Sequence, residues 1–222
     1  MDLRQARRNT AVDKPVQTGI GGPADEPTGD EADVDVVARL AGVLAVGEGV
    51  RLRAAMAPVA AARREGTTLP TREDHLRRIV RPAGRHDHVL VEGAGGVLVE
   101  LAEDGTTQAD LGTGLLGLLG LLGLLGAGQV GAVVVCRAGL GALNHTALTV
   151  EALERRRVPV TGLVIGSWPA DPDEIDLDNR QHLASRTVPL LGAVPAGAGG
   201  LAGPDFRRAA PGRLPAPPPP GA

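Results

Sequence analysis

Three short aliphatic runs, rich in β-branched residues, close on loops of small residues. His88-Val89-Leu90-Val91 closes on Glu92-Gly93-Ala94-Gly95-Gly96. Val160 to Ile165 closes on Gly166-Ser167-Trp168-Pro169, and Leu190 to Val194 on Pro195-Ala196-Gly197-Ala198-Gly199. Such runs, bounded by glycine, read as buried strands. Val130 to Val135 is a further buried run, and Val12 to Thr18 a short strand leading into a loop. Helical patterns lie between them. Val34, Val37, Ala38, Leu40 and Ala41 share one face. Leu76, Ile79 and Val80 follow Thr71, an N-cap with Asp74 in the capping-box position, and Pro82 and Gly84 end that helix. Asn144 to Arg156, with Asn144 as N-cap, and Asp173 to Ser185 are two more. Strands alternating with helices predict an α/β fold with a parallel, doubly wound sheet. Ligands of such sheets bind beyond the strand C-termini, so three small-residue loops there point to one shared crevice.

The Glu92 turn carries the most chemistry. Its glycines let backbone N–H groups approach a phosphate, and the carboxylate at the strand end is a Mg²⁺ ligand type. The alternative is a tight turn with a solvated Glu92. Val97-Leu98-Val99 reads as a short extension of the strand. Asp33 and Asp35 are candidate second metal ligands within an acidic loop, Gly19 to Asp35, most of which reads as solvated and mobile.

Composition narrows the field. Aromatics make up 1% of the 222 residues against 43% hydrophobic, so the core is built from Val, Leu, Ala and Ile. A net charge of −3 gives no global field for nucleic acid. The single cysteine, Cys136, cannot form an internal disulfide, fits a reducing compartment and reads as a small apolar core residue. The N-terminus has no apolar run of signal-peptide type. Neither serine, Ser167 nor Ser185, lies in Gly-x-Ser-x-Gly, which argues against a serine hydrolase. His86 and His88 flank Asp87 at metal-pair spacing but without a third ligand nearby, and read as surface residues; His145 reads as structural. Lysine is the telling count. Lys14 is the only one, in Lys14-Pro15-Val16-Gln17-Thr18-Gly19, and its ammonium suits phosphate or carbamate oxygens.

Leu115 to Gly126 repeats Leu-Leu-Gly four times inside the uncharged stretch from Leu111 to Cys136. Length alone makes it a candidate membrane span. The glycine content and the strand pattern at its end favour instead an expanded, poorly ordered helix and loop between two strands. The remainder from Gly203 reads as a Pro-rich disordered tail.

Taken in order, Lys14 to Gly19, Val91 to Gly96, Leu143-Asn144-His145-Thr146, Gly166 to Pro169 and Pro195 to Gly199 resemble the dethiobiotin synthetases, closest to the actinobacterial type. The resemblance runs from Lys14 to about Gly200. It implies a P-loop-type α/β fold and a cytoplasmic homodimer. It also implies an ATP- and Mg²⁺-dependent cyclo-ligase that closes the ureido ring of dethiobiotin on 7,8-diaminopelargonate with CO₂. By the same resemblance Lys14 contacts the carbamate and the transferring phosphate. Thr18, Glu92 and Gly95 bind substrate, and Gly141, Ala142, Leu143 and Asn144 reach the substrate carboxylate in the neighbouring subunit. Asp33, with Asp35 as the fallback, and Glu92 hold Mg²⁺. Gly93, Ala94 and Gly95 lie near the phosphates. Gly166 and Ser167 line one side of the adenine pocket, and Pro195, Ala196 and Gly197 the other. No nucleic acid or membrane partner is implied.

Two departures stand out. The family opens with a strand, a P-loop ending in Gly-Lys-Thr and a helix, whereas the only lysine here lies in another motif. The expected organisation is a non-family segment 1–13, a synthetase-like domain 14–202 lacking that unit, with the Leu-Leu-Gly expansion at 110–129, and a tail 203–222. Because the opening strand is normally central, its loss is expected to open the sheet, expose apolar surface and impair phosphoryl transfer. The alternatives are a non-catalytic paralogue that binds ligand or a partner subunit, and a protein anchored in a membrane by the Leu-Leu-Gly segment.

Overall fold

The computed structural model describes residues 10–21, 31–43, 45–121 and 130–214, which fall into two compact units, 1–115 and 116–222. In the first, β1 (Thr10–Gln17) is the centre of a three-stranded parallel sheet. β2 (Ala45–Arg51) lies on one side and β3 (His88–Val91) on the other, with Asp13 opposite both Gly47 and Val91. A strand paired on both sides has its ladder satisfied, and β1 is buried at every position from Ala11 to Gln17. Helices α1 (Asp33–Ala41), α2 (Pro58–Glu65) and α3 (Arg72–Val80) belong to this unit, as does the first part of α4 (Gln108–Leu121). Val16, Leu52, Ala61, Leu69, Ile79, Leu101 and Leu111 form the core.

The predicted cap of α3 is present in full. Thr71 Oγ1 accepts from Asp74 N–H and Asp74 accepts from Thr71 N–H. Arg77 also pairs with Asp74. Together the Thr71 and Arg77 partners draw the carboxyl down to about 2.

In the second unit β5 (Val160–Trp168) lies between β4 (Ala132–Cys136) and β6 (Leu190–Pro195), again all parallel. Helices α5 (Ala142–Arg155), α6 (Glu174–Ala184) and α7 (Gly203–Ala209) complete it. Leu163, Ile165 and Leu183 are fully buried. Cys136 is buried as expected, and burial pushes its thiol up, away from nucleophilic use.

The parallel α/β reading holds, and several details differ. The strands form two three-stranded sheets. β3 is not a buried strand: Leu90 is 58% exposed, because β3 pairs with β1 alone among the described residues. Val135 on β4, which among the described residues pairs only with β5, is 68% exposed. Val97 to Val99 form a turn rather than a strand, closed by Val99 N–H on the Gly96 carbonyl. Gly166 to Trp168 continue β5 instead of looping from it. Gly141, not Asn144, caps α5, which starts at Ala142. Residues 203–209 are helical, not tail, since Pro204 sits in the first turn, where proline is tolerated. The Leu-Leu-Gly repeat enters α4 as far as Leu121; its remainder, residues 22–30 of the acidic loop, segment 1–9 and residues 215–222 lie outside the described residues. Among those described, no helix is long and apolar enough to cross a membrane.

β2 and α2 escaped the sequence reading. Ala45-Val46-Gly47-Glu48-Gly49-Val50-Arg51 contains two glycines, which normally weaken a strand. Here they are required by packing. A Cβ on Gly49 would come within 2.2 Å of the Pro15 carbonyl and 2.4 Å of Arg78 Nη1. Gly49→Ala is therefore expected to destabilise the protein by about 1–3 kcal/mol through overpacking, read as a lowered urea midpoint with unchanged m-value.

Candidate functional site

Strand β1 delivers Lys14 to a set of oxygens from two other segments. Nζ lies 2.5 Å from Asp33 Oδ2 and 3.0 Å from Glu92 Oε1, and donates to the Gly93 carbonyl at 3.1 Å. The lysine side chain is 5% exposed, whereas those of Asp33 and Glu92 are 42% and 62% exposed. The ammonium is thus withdrawn from water with one acceptor for each of its three protons. Both carboxylates keep oxygen surface open to solvent.

Each partner is held from behind. The amide of Asp33, the first residue of α1, donates to Gln17 Oε1 at 3.1 Å, and Gln17 Nε2 donates to the Thr18 carbonyl. Gln17 thereby ties the end of β1 to the start of α1, a role invisible in a motif where it was only a spacer. Glu92 N–H donates to the Asp13 carbonyl at 3.0 Å, extending the β1–β3 ladder to the carboxylate. Gln108 Nε2 donates to the Val91 carbonyl. The turn beyond needs glycine at Gly95, whose φ of +81° disfavours any side chain. Of the two acidic candidates, Asp33 is the one brought to Lys14; Asp35 lies 3.5 Å from Arg51. Thr18 follows β1 directly and is half-buried.

The second unit gathers the other predicted residues at the C-terminal ends of its strands. Gly166 and Ser167 line an open cavity of about 450 Å³ with residues 135–140. Pro195 ends β6, and Ala196 N–H donates to the Trp168 carbonyl at 2.7 Å, so the Pro195-Ala196-Gly197 loop adjoins the end of β5. Gly141 caps α5 without a side chain, leaving the first turn, Ala142, Leu143 and Asn144, at a helix N-terminus suited to a carboxylate. The preceding loop is fixed by Asn179 of α6, whose Nδ2 donates to the carbonyls of Ala138 and Gly139. A lone Asn one turn before Leu183, on the inner face of a helix, was the available signal for it. Arg180 stacks on Trp168 at 4.9 Å.

His75 was also missed. It is fully buried on α3, and burial together with the Arg78 charge lowers its pKa.

A parallel α/β protein with a cationic strand end and glycine-rich loops belongs to a nucleotide-using class, and residues 1–118 and 121–198 match the AAA domain family. The relatives narrow this. ATP-dependent dethiobiotin synthetase BioD of Mycobacterium sp. strain KMS is 47% identical over 208 residues, 92% of this chain and 82% of that protein. The same enzyme of Mycolicibacterium vanbaalenii is 46% identical over 202 residues, 90% and 79% respectively. That of Mycobacterium leprae strain Br4923 is 44% identical over 203 residues, 91% and 80%. The chain belongs to the dethiobiotin synthetase family.

Two outcomes test this geometry. Asn179→Ala strips the donors from two loop carbonyls and is expected to cost about 1–3 kcal/mol in urea unfolding. Because the folded His75 resists protonation while the unfolded one does not, stability is fully present above pH 6.5 and falls as pH drops below it. Unfolding midpoints at pH 7.5 and 5.5 are expected to differ more in the parent than in His75→Gln.

Proposed function

We propose that the Lys14 cluster is the phosphoryl-transfer half of a ligase site that forms dethiobiotin from 7,8-diaminopelargonate, CO₂ and ATP. The single observation that carries this reading is the dehydrated ammonium held against Asp33, Glu92 and the Gly93 carbonyl. One substrate amine adds to CO₂ and loses a proton to give a carbamate. A carbamate oxygen takes the γ-phosphoryl group and releases ADP. The second amine then attacks the carbonyl carbon, and phosphate leaves as the ring closes. Both the carbamate and the transferring group are anionic, so a fixed cation with no water shell lowers the barrier by charge stabilisation and positioning.

Two half-exposed carboxylates sharing one cation are a hard-oxygen donor set of the kind Mg²⁺ completes with phosphate and water. Asp33 and Glu92 would hold the ion, which when bound supplies charge neutralisation to the phosphates. Thr18 and Gly95 face substrate, and the Gly93-Ala94-Gly95 amides lie near the phosphates. Gly166, Ser167 and Pro195 to Gly197 receive adenine. Gly141 to Asn144 take the substrate carboxylate from the second subunit of a cytoplasmic homodimer.

These 222 residues hold no Gly-Lys-Thr or Gly-Lys-Ser, because Lys14 is followed by Pro15. The proposal therefore includes impaired phosphoryl transfer. Among the described residues β3 and β4 each pair on one side alone, with Leu90 and Val135 exposed, which supports an incomplete sheet. The same observation favours a second reading, a paralogue that binds ligand without turnover.

Ring closure by the purified chain, supplied with ATP, Mg²⁺ and bicarbonate, is expected to run about 10²–10³-fold below that of a mycobacterial relative, the loss typical of missing anion donors. Lys14→Ala is expected to abolish the remainder. Turnover equal to the relative's would overturn the impairment. Calorimetric binding of diaminopelargonate with no ring closure and no ATP hydrolysis would favour the paralogue.

A further inference from the structure

Asp13, the residue before Lys14, is 4% exposed and faces a different partner. Its carboxylate is gripped in bidentate fashion by one side of the Arg78 guanidinium of α3, Nε to Oδ1 at 2.8 Å and Nη2 to Oδ2 at 2.9 Å. Arg78 Nη2 also lies 3.3 Å from Nδ1 of the fully buried His75. The pair sits in a slot cut through β2. A Cβ on Gly47 would reach 3.0 Å from Asp13 Oδ1, and one on Gly49 would overlap Arg78. Three elements have thus given up apolar packing to house one ion pair.

Stability alone is a poor reason for it. Asp13 is buried and Arg78 24% exposed; replacing a largely buried pair by apolar side chains is often neutral or stabilising, and the best-attested use of such pairs is to fix register. Register is what matters at this position. A strand sends neighbouring side chains to opposite faces, so Asp13 on α3 directs Lys14 toward Asp33 and Glu92. The Asp13 carbonyl also receives the Glu92 amide. A one-residue slip of β1 in one direction would put the Asp13 carboxylate where the ammonium stands, and a slip in the other would set the ammonium against Arg78.

We infer that Asp13 and Arg78, backed by His75, form a positioning pair that pins β1 in register and so holds Lys14 and Glu92 together. The inference rests on Lys14 being the working cation of the proposed site. Its test reads the amine itself, so it fails or stands independently of ligase activity.

Lys14 is the only lysine, so the rate of its acylation by an N-hydroxysuccinimide acetate ester, followed by peptide mass spectrometry on the full-length chain, reports its placement. Asp13→Asn is expected to accelerate that reaction at least tenfold. So is the double variant Asp13→Leu with Arg78→Met, which leaves no unpaired charge and keeps the protein folded should the single variant unfold. Ile79→Val, which loosens the same core without touching the pair, is expected to stay within twofold of the parent. A folded double variant whose Lys14 reacts at the parental rate would overturn the inference. So would equal acceleration in Ile79→Val, since loss of stability would then account for the effect.

Discussion

An ammonium group withdrawn from water is tolerable only when every proton finds an oxygen. Lys14 meets that condition with a carboxylate from the start of α1, a carboxylate from the end of β3 and a carbonyl from the turn beyond. None of these is local to β1. Satisfying one side chain therefore requires the central strand, its neighbour and the helix entry to be correctly placed at once. Gln17, Gln108 and the Asp13 carbonyl are the backing that keeps the three acceptors convergent.

The two units solve the same problem of loop placement with different tools. In the first, charge organises the strand ends: an ion cluster on one face of β1 and a second ion pair, in a glycine-walled slot, on the other. In the second, neutral hydrogen bonds do the work. Asn179 holds the loop before α5, and the Trp168 carbonyl holds the loop after β6. Charge stays near the proposed phosphoryl-transfer end, and the loops proposed for adenine and the substrate carboxylate are built from small residues and backbone.

The elements that were legible in sequence are those whose local signals agree with their environment. The α3 capping box, β1 and the span of α6 combine propensity with period. β2 was hidden because Gly47 and Gly49 obey a packing demand from Asp13 and Arg78, which are remote in sequence. β3 had the composition of a buried strand, yet composition carries no information about how many neighbours a strand has. The Lys14, Asp33 and Glu92 cluster was legible residue by residue through the family resemblance and the lone lysine. Its support was not. Gln17, Asn179, His75 and Arg78 act through hydrogen bonds whose partners only the tertiary structure brings near. Asn144 failed as a cap for a simpler reason: a glycine in the left-handed region three residues earlier already turns the chain into the helix.

The Lys14–Glu92 bond joins residues 78 positions apart, and the β1–β3 pairing beneath it spans a similar length of chain. β1 and β2 are much closer in sequence. Loop-closure entropy has to be met before such remote contacts return any energy, and parallel strands that pair across long crossovers assemble slowly. The Glu92 half of the ion cluster is therefore expected to form after the β1–β2 pair. Until β3 docks, Lys14 lacks its Glu92 and Gly93 partners, so the state of this one amine records the closing of the β1–β3 ladder.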